Sequence, residues 1–351
     1  MKWWLAAVVL LAACGRAGAP VPPERVTPVP ASHLSAIVED RAVVLSFTAP
    51  TRRADNARLR DLTMLRVFRA EDDGTGELKP AMKDGRRVVG YTEIAAIVPA
   101  TPAPATVEDN RVTLVDQTAL TVGRRYAYVV LAEDGRGHVS PPSERVTALM
   151  VAAPAAPGDL QATAGDREVR LAWRPSRTLA DGSTAGRALV YEILRAPAAD
   201  APLEIVTVTA PGAAAFVDRG LDNERPYLYA LRALLTSRGT LARSGLTPRV
   251  AATPVDMTPP RPPTELVAIP SAGTVRLVWI GSPDPDVGRY IVYRGRDGAS
   301  LERIGSLASP GITFTDRDVP AGTWRYAVSA QDTSSRANES VRSAEVTVTV
   351  P

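Results

Sequence analysis

Short runs in which every second side chain is apolar recur along the chain and end in a large aromatic residue. The three clearest runs cover residues 43–47, 169–173 and 275–279 and end at Phe47, Trp173 and Trp279. Successive side chains of a strand point to opposite faces, so this pattern predicts half-buried strands with one core-facing side. The copies recur at roughly 100-residue intervals, the usual length of an immunoglobulin-type sandwich. We expect Phe47, Trp173 and Trp279 to anchor three separate cores.

Each copy carries further pieces in the same order. A second strand covers residues 65–69, 191–195 and 290–294, and a short strand ends at Asp116, Asp218 and Asp316. A pair of aromatic residues two positions apart follows, as Tyr126 and Tyr128, Tyr227 and Tyr229, and Trp324 and Tyr326. Residues two apart on a strand share a face. We therefore expect Tyr126, Tyr227 and Tyr326 to belong to the structural core.

These pieces resemble the fibronectin type III family, in the tandem form common in bacterial surface proteins. The segments "PGDLQATAGDREVRLAW" and "PTELVAIPSAGTVRLVW" are similar to the opening strands of that family, and "SPDPDVGRYIVYRG" is similar to its C strand. The resemblance covers about residues 31–351. It implies an all-β chain of three tandem immunoglobulin-like sandwiches. It also implies a tyrosine corner at Tyr126 and Tyr227, whereas Trp324 departs from that pattern.

The repeats and the proline-rich stretches predict five segments. A signal peptide covers residues 1–13, a lipidated proline-rich tether 14–30, and three sandwiches 31–152, 153–254 and 255–351. Short proline-rich joints restrict bending, so a semi-rigid rod is expected. The first sandwich has an insertion at residues 70–111 that is read equally well as a binding loop or as a tolerated surface insertion. The second sandwich has a smaller insertion at residues 178–186.

The N-terminal residues predict where in the cell the protein is located. Lys2 precedes an apolar run that is shorter than the roughly 20 residues needed to span a bilayer, which is typical of a secretory signal. Residues 11–14, "LAAC", resemble the lipobox of bacterial lipoproteins, and Cys14 is the only cysteine in the chain. The resemblance implies that Cys14 becomes acylated and anchors the chain in the membrane. The alternative is an ordinary signal peptide with a chance cysteine. If the lipobox resemblance holds, it also implies the outer membrane, because Gly15 is not the aspartate that resembles an inner-membrane retention signal.

The net charge and the absence of catalytic motifs argue against several classes of function. The formal net charge is +3, too small to indicate nucleic-acid binding. His33 and His138 have no zinc-type spacing, and no nucleophile elbow, phosphate loop or dinucleotide motif occurs. We therefore expect no catalytic residue, no cofactor and no metal site. The aspartate pairs at residues 72–73, 284–286 and 316–318 could be read as a calcium cluster, but they lack the loop spacing of a dedicated site, and we interpret them as turn and strand-end residues. The arginines at 69, 195 and 294 are interpreted as solvated charges at strand ends.

The sequence thus predicts a lipid-anchored protein of the bacterial cell envelope that is not an enzyme. It would present its sandwiches to an unidentified protein partner, with Cys14 as the membrane contact. The alternatives are an accessory subunit of an envelope secretion or transport assembly, and a carbohydrate-binding or adhesive module. The second of these requires exposed aromatic side chains for stacking on sugars.

Overall fold

The chain folds almost entirely into antiparallel β-structure. The computed structural model describes residues 23–72 and 80–351, and within them the one α-helix is α1, Pro23–Val26. The strands fall into three successive groups along the chain, and each group contributes strands to two main sheets. The predicted fold class, all-β with tandem immunoglobulin-like sandwiches, is confirmed.

The first sandwich is built from the strands between residues 32 and 149. These are β1 (Ser32–Glu39), β2 (Ala42–Thr48), β3 (Leu62–Asp72), β4 (Lys83–Asp84), β5 (Arg87–Val88), β6 (Thr92–Ile97), β7 (Thr106–Glu108), β8 (Arg111–Asp116), β9 (Arg125–Asp134) and β10 (Val146–Leu149). One sheet has the order β1-β2-β8-β7 and the other β10-β9-β3-β6, while β4 and β5 form a separate hairpin. The insertion at residues 70–111 therefore contributes the hairpin of β4 and β5 together with β6 and β7.

The second sandwich begins after residue 157. Its region contains β11 (Gly158–Ala164), β12 (Glu168–Arg174), β13 (Val190–Ala196), β14 (Glu204–Val208), β15 (Ala215–Arg219), β16 (Tyr227–Ser237), β17 (Thr240–Arg243) and β18 (Val250–Ala252). One sheet has the order β11-β12-β15, and β13 pairs with β14 and β16 in the other, where β18 also pairs with β16.

The third sandwich is the most regular. Its strands are β19 (Thr264–Ser271), β20 (Thr274–Ile280), β21 (Val287–Arg296), β22 (Glu302–Ala308), β23 (Thr313–Arg317), β24 (Gly322–Asp332) and β25 (Val346–Val350). The sheets have the orders β19-β20-β23 and β22-β21-β24-β25. Gly305 on β22 faces the ring of Phe314, where a Cβ would lie only 2.7 Å from the ring edge. A glycine at this position lets the two sheets approach closely.

The alternating residues of the facing sheets form the cores. In the first sandwich Phe47 from β2 packs in one cluster with Tyr128 and Val130 from β9. In the third, Trp279 from β20 packs in one cluster with Val292 from β21. Burial of each large side chain stabilises the fold by roughly 1.5–3 kcal/mol or more, so alternation along these strands is sufficient to drive the sheets together.

The chain divides into two compact units that do not follow the three repeats. One unit contains the described residues up to Ala153 together with Leu235–Arg243, and the other contains Pro154–Leu234 and Ser244–Pro351. Within the first unit β17 pairs in parallel with β1, and Ala242 is fully buried in the core cluster. Residues Leu235–Arg243, which the sequence assigns to the second sandwich, therefore extend a sheet of the first unit.

The described part of the predicted tether lies against the first sandwich. Val29 N–H donates to Arg52 O at 3.1 Å, and Asp55 N–H donates to Arg25 O at 2.9 Å. The Arg53 guanidinium also donates to Val26 O at 2.6 Å. Residues 25–29 are thus held by the loop that follows β2 rather than extended away from the sandwich.

Candidate functional site

The side chains that the sequence assigns to the cores are buried. Phe47 is 1% exposed, Trp173 is 5% exposed and Trp279 is 2% exposed. Trp279 packs edge-to-face against Tyr290, with ring centroids 5.6 Å apart, a favourable arrangement for aromatic pairs. Tyr326 is fully buried as well. These rings are therefore structural and are not available to a ligand.

The corner hydrogen bond implied by the resemblance is formed in the first two sandwiches. Thr121 N–H donates to the Tyr126 hydroxyl at 2.8 Å, and Asp222 N–H donates to the Tyr227 hydroxyl at 3.2 Å. Each bond satisfies a backbone donor in the loop before the strand that carries the tyrosine.

In the third sandwich a tryptophan forms a hydrogen bond to the equivalent loop, but the donor and the acceptor are exchanged. Trp324 Nε1–H donates to Pro320 O at 2.9 Å. An indole can only donate, so here the loop supplies a carbonyl instead of an N–H. The departure in sequence therefore changes the direction of the hydrogen bond and keeps the contact.

A cluster of one arginine, one aspartate and one tyrosine occurs in every sandwich, and we call it the Arg–Asp–Tyr triad. The three triads are Arg69, Asp116 and Tyr128; Arg195, Asp218 and Tyr229; and Arg294, Asp316 and Tyr326. In the second sandwich the Tyr229 hydroxyl donates to Asp218 Oδ2 at 2.9 Å, and Arg195 Nη1 donates to the same oxygen at 2.8 Å. The guanidinium also lies over the corner ring, 5.5 Å from the centroid of Tyr227.

The triads correct the interpretation of these arginines as solvated strand-end charges. Each arginine is ion-paired to an aspartate whose side chain is at most 10% exposed. Burial, and then the neighbouring Asp218 carboxylate, raises the pKa of Tyr229 far above its usual value, and burial and Asp116 do the same for Tyr128. The hydroxyls thus stay protonated donors at neutral pH. The triads stabilise the sandwiches and offer no free nucleophile.

The histidines do not form a catalytic arrangement. His33 Nδ1 lies 3.1 Å from the Ser32 hydroxyl on the exposed part of β1. His138 Nδ1 lies 3.0 Å from Asp134 Oδ2, which also accepts from Arg53. Burial alone would raise the pKa of Asp134, but the hydrogen bonds from Arg53 and His138 outweigh it and hold this pKa well below its usual range. Asp134 is therefore a structural anion.

The insertion at residues 70–111 covers the outer face of one sheet. Phe68 and Leu131 point away from the main core, yet each is 1% exposed because Val88 and neighbouring residues of the insertion pack over them. The hairpin of β4 and β5 is also tied down by Lys83 Nζ, which donates to Val139 O at 2.9 Å. The described part of the insertion thus forms a second, smaller core, and this packing accounts for it without a ligand.

The insertion at residues 178–186 in the second sandwich folds back on itself. Leu179 N–H donates to Ser183 O at 2.8 Å, and Asp181 accepts from the Ser183 hydroxyl at 2.6 Å. It borders a shallow, open pocket lined in part by Arg177 and Tyr191.

The aspartate pairs noted in the sequence have different environments. Asp316 belongs to a triad, and Asp284 accepts from the Arg261 guanidinium at 2.6 Å. Asp286 lies beside Asp256 and Asp332, with carboxylate oxygens of all three within 4.8 Å of one another. Among the described residues this is the group of acidic side chains close enough to hold a metal ion. Sequence reasoning missed it because its members lie far apart along the chain.

The exposed surface is apolar in one region of the third sandwich. Val267 and Ile269 on β19 and Ile280 on β20 are each 52% exposed. Val267 is paired with Val278, which also points outward. We call these four residues the apolar face. Across the described residues no phenylalanine, tyrosine or tryptophan is exposed, so this part of the chain has no aromatic platform for stacking on sugars.

The predicted anchor lies outside the described residues, since Cys14 precedes residue 23. Within residues 23–72 and 80–351, no helix has the length and apolar character required to cross a bilayer.

Comparison with known proteins finds similarity to a part of a curated enzyme and to a solved structure. No family model matches the chain. Exoglucanase B of Cellulomonas fimi is 30% identical over 284 residues, which is 77% of this chain but 23% of exoglucanase B. The chicken CNTN1 FN1-FN3 domains align with 92% of this chain and 99% of their own, at 15% identity and a TM-score of 0.28. The chain thus spans less than a quarter of the curated relative it matches.

Proposed function

We propose that this chain is a non-catalytic binding module of the bacterial cell envelope, anchored through lipid on Cys14, that docks a protein partner on the apolar face of its third sandwich. The observation that carries the proposal is the contrast between equivalent positions of two sandwiches. Val267, Ile269 and Ile280 correspond in strand register to polar residues of the second sandwich.

The second sandwich provides the internal comparison. Its residues at the positions of Val267, Ile269, Val278 and Ile280 are Gln161, Thr163, Ala172 and Arg174. The same sheet is therefore stable with a polar outer surface, and folding does not require apolar residues there. Clustered exposed apolar residues on a soluble domain are typical of an interaction site.

The border of the apolar face indicates the chemistry of the partner. Arg276 lies between Ile269 and Thr315 on the outer side of the sheet, and Arg317 lies farther along β23. Both arginines are exposed, and no carboxylate of a described residue forms an ion pair with them. We infer a partner with an apolar patch bordered by acidic side chains, because such a surface complements both features.

The free energy gained by burying the apolar face is adequate for a specific protein contact. Full burial of a valine or isoleucine side chain contributes roughly 1.5–3 kcal/mol, so covering four half-exposed residues contributes several kcal/mol. This is the gain expected of the central part of a protein interface, before the cost of association is subtracted.

Photo-crosslinking in cells tests the docking surface. A photoreactive benzoyl-phenylalanine replaces Thr315, which pairs with Arg276 on the exposed side of the sheet. We expect one discrete crosslinked protein species, and we expect it to disappear when Val267→Gln and Ile280→Arg are introduced together. The matched control carries the probe at Thr163 of the second sandwich. A crosslink that persists in the double variant contradicts the proposal. So does the absence of any crosslink when the probe at Thr315 is carried by a chain with the wild-type apolar face and an unchanged melting temperature.

The anchor has its own test. Cys14→Ser removes the thiol that acylation requires, and we expect the protein to leave the membrane fraction. Retention of the variant in that fraction, after washing at high salt, would contradict lipid anchoring through Cys14.

A second candidate function is supported by the similarity to exoglucanase B. A segment shared with a polysaccharide-degrading enzyme suggests an accessory module for such an enzyme, and the lack of exposed aromatic side chains in the described residues argues against direct sugar stacking. Depletion of the purified chain from solution by microcrystalline cellulose would favour this candidate. No depletion would leave protein docking as the function.

A further inference from the structure

The loop that follows β12 in the second sandwich has the same backbone arrangement as the loop that follows β2 in the first. Strand register equates Trp173 with Phe47 and Tyr191 with Leu65, and the segments between them have the same length. The backbone hydrogen bonds that close the two loops correspond one to one: Leu59 N–H to Thr51 O at 2.9 Å and Arg53 N–H to Ala57 O at 2.8 Å in the first, and Ala185 N–H to Arg177 O at 3.0 Å and Leu179 N–H to Ser183 O at 2.8 Å in the second. The two loops can therefore be compared residue by residue.

Smaller side chains accompany an open cavity beside the second loop. Ala185 and Ala188 take the places of Leu59 and Leu62. Leu59 is 8% exposed and fills its place in the first sandwich, whereas Ala185 is only partly buried. The cavity has a volume of about 470 Å³, and the buried Tyr191 lies on its inner side. This volume is in the range of small-molecule sites.

A second cavity of about 490 Å³ adjoins the first, and residues 175–177 line both. Arg174 and Gly158, which pair across β12 and β11, line this second cavity. A Cβ on Gly158 would lie only 2.9 Å from Arg174 Nη2, so the glycine lets the guanidinium lie against the strand. The first sandwich has Ser32 and Thr48 as the equivalent pair. The close approach of a guanidinium here is therefore particular to the second sandwich.

Positive charge collects around the two cavities. Three arginines line them, where the first sandwich has two threonines and an aspartate: Arg174 for Thr48, Arg177 for Thr51 and Arg187 for Asp61. None of the described residues that line the cavities is an aspartate or a glutamate. Arg174 pairs with Asp159 at 2.8 Å, but the two side chains are 73% and 66% exposed, so this pair is weak. Arg177 is exposed and forms no ion pair with a described carboxylate.

We propose that the two cavities bind a small phosphate monoester that carries an apolar group. Arg177 lines both cavities, so its guanidinium can hold the phosphate where they meet, with Arg174 in one cavity and Arg187 in the other. A guanidinium donates to two oxygens at once, and a phosphate monoester offers three acceptor oxygens and nearly two negative charges. A carboxylate offers two oxygens and one charge. The apolar group of the ligand lies against Ala185 and Ala188.

The residues of the proposed site are not needed to form the loop. The first sandwich closes the same loop with Thr51 and Leu59 at the positions of Arg177 and Ala185. The substitutions Arg177→Thr and Ala185→Leu therefore each introduce a side chain that this backbone already carries elsewhere in the chain. Such variants separate the loss of a ligand from the loss of the fold.

Calorimetric titration of the purified full chain with phenyl phosphate tests the site, at low ionic strength and a pH of about 7.5, where the phosphate is almost fully doubly charged. We expect saturable binding of one molecule per chain. Inorganic phosphate lacks the apolar group, phenol lacks the anion and benzoate carries the smaller charge, so all three should bind more weakly.

Arg177→Thr should weaken the binding of phenyl phosphate about tenfold or more, because a hydrogen bond to a charged group contributes at least that factor. Ala185→Leu should weaken it as well, by filling the first cavity. The matched control is Arg219→Thr, which removes an exposed arginine of β15 that pairs with Glu168 at the other end of β12. Binding and melting temperature of this control should remain close to those of the wild type.

Four results would overturn the proposal. The first is the absence of phenyl phosphate binding at about 10 mM, since even the ligand efficiency of a drug-sized compound corresponds to a Kd of a few millimolar for a molecule of this size. The second is binding of phenol as tight as that of phenyl phosphate, which would exclude a role for the arginines. Benzoate that binds as tightly as phenyl phosphate would overturn the assignment to a phosphate. Binding that neither Arg177→Thr nor Ala185→Leu weakens would place the ligand elsewhere.

Discussion

Removing the charge of one triad should destabilise the sandwich that contains it. In Asp218→Asn the amide keeps the shape of the carboxylate but presents an NH₂ group where only acceptors fit. The Tyr229 hydroxyl and Arg195 Nη1 both donate to Asp218 Oδ2, at 2.9 and 2.8 Å. One oxygen of the asparagine cannot serve both donors as a charged acceptor, so at least one charge-assisted hydrogen bond is lost.

The size of the loss in free energy of unfolding follows from how exposed the two charged side chains are. Hydrogen bonds to charged groups contribute about 1.5–3 kcal/mol each, and breaking a fully buried pair costs about 3–5 kcal/mol. The Asp218 side chain is 6% exposed, but that of Arg195 is 36% exposed and can recover hydration. We therefore expect a loss of about 2–3 kcal/mol of the free energy of unfolding, less than for a fully buried pair.

Hydrogen–deuterium exchange is the suitable assay because it resolves the sandwiches. Peptides from β12 and β15 should exchange about 30–150 times faster in Asp218→Asn, which corresponds to 2–3 kcal/mol in local opening. The matched control is Asp222→Asn, which breaks an ion pair to Arg225 between side chains that are 68% and 53% exposed. Exposed pairs contribute at most about 1 kcal/mol, so exchange in the control should remain close to that of the wild type.

The result that would refute this reasoning is specific. If Asp218→Asn and Asp222→Asn accelerate exchange in β12 equally, the buried triad contributes no more than a surface ion pair. If Asp218→Asn accelerates exchange in the first sandwich as strongly as in the second, the effect is not local to the triad.

Three further outcomes follow from the same contacts. Raising the pH above about 10 should destabilise the folded chain. Burial and Asp218 raise the pKa of Tyr229 in the folded state, so the stabilisation from this hydroxyl is complete below the unfolded pKa and is lost as the pH rises. Tyr229→Phe should flatten this part of a profile of melting temperature against pH. Val88→Ala should destabilise the first sandwich by about 1–2 kcal/mol in urea unfolding, since it uncovers Phe68, and no change would contradict the packing role of the insertion. Arg53→Gln should release residues 25–29, which limited trypsin cleavage at Arg25 would detect as faster cutting, while equal rates in variant and wild type would contradict it.

The core and its anchors could be predicted because alternation is a local property of the chain. The apolar residues of 169–173 occupy one face of β12 whatever their partners are, so Trp173 must point inward once that face is buried. The corner at Tyr126 could be anticipated for a similar reason, since its partner, Thr121, lies only five residues away. Short-range geometry allows few alternatives.

The roles of the charged residues could not be predicted from local pattern. Arg195 follows its strand like a solvated charge, and its pairing with Asp218 depends on how two sheets are placed against each other. In the same way the alternation along the chain gives no sign that Val88 covers Phe68, because the outer face of a sheet is apolar only where another segment returns to it.

The sequence by itself therefore determined the strands, their inward faces and the repetition of three sandwiches, since these depend on side-chain order within a few residues. Only the tertiary structure decided which charges meet. Asp256, Asp286 and Asp332 converge because a linking segment and two loops reach the same end of one sandwich. Ion pairing and metal binding depend on distances of a few ångströms between residues far apart in the chain, and strand register together with sheet packing sets those distances.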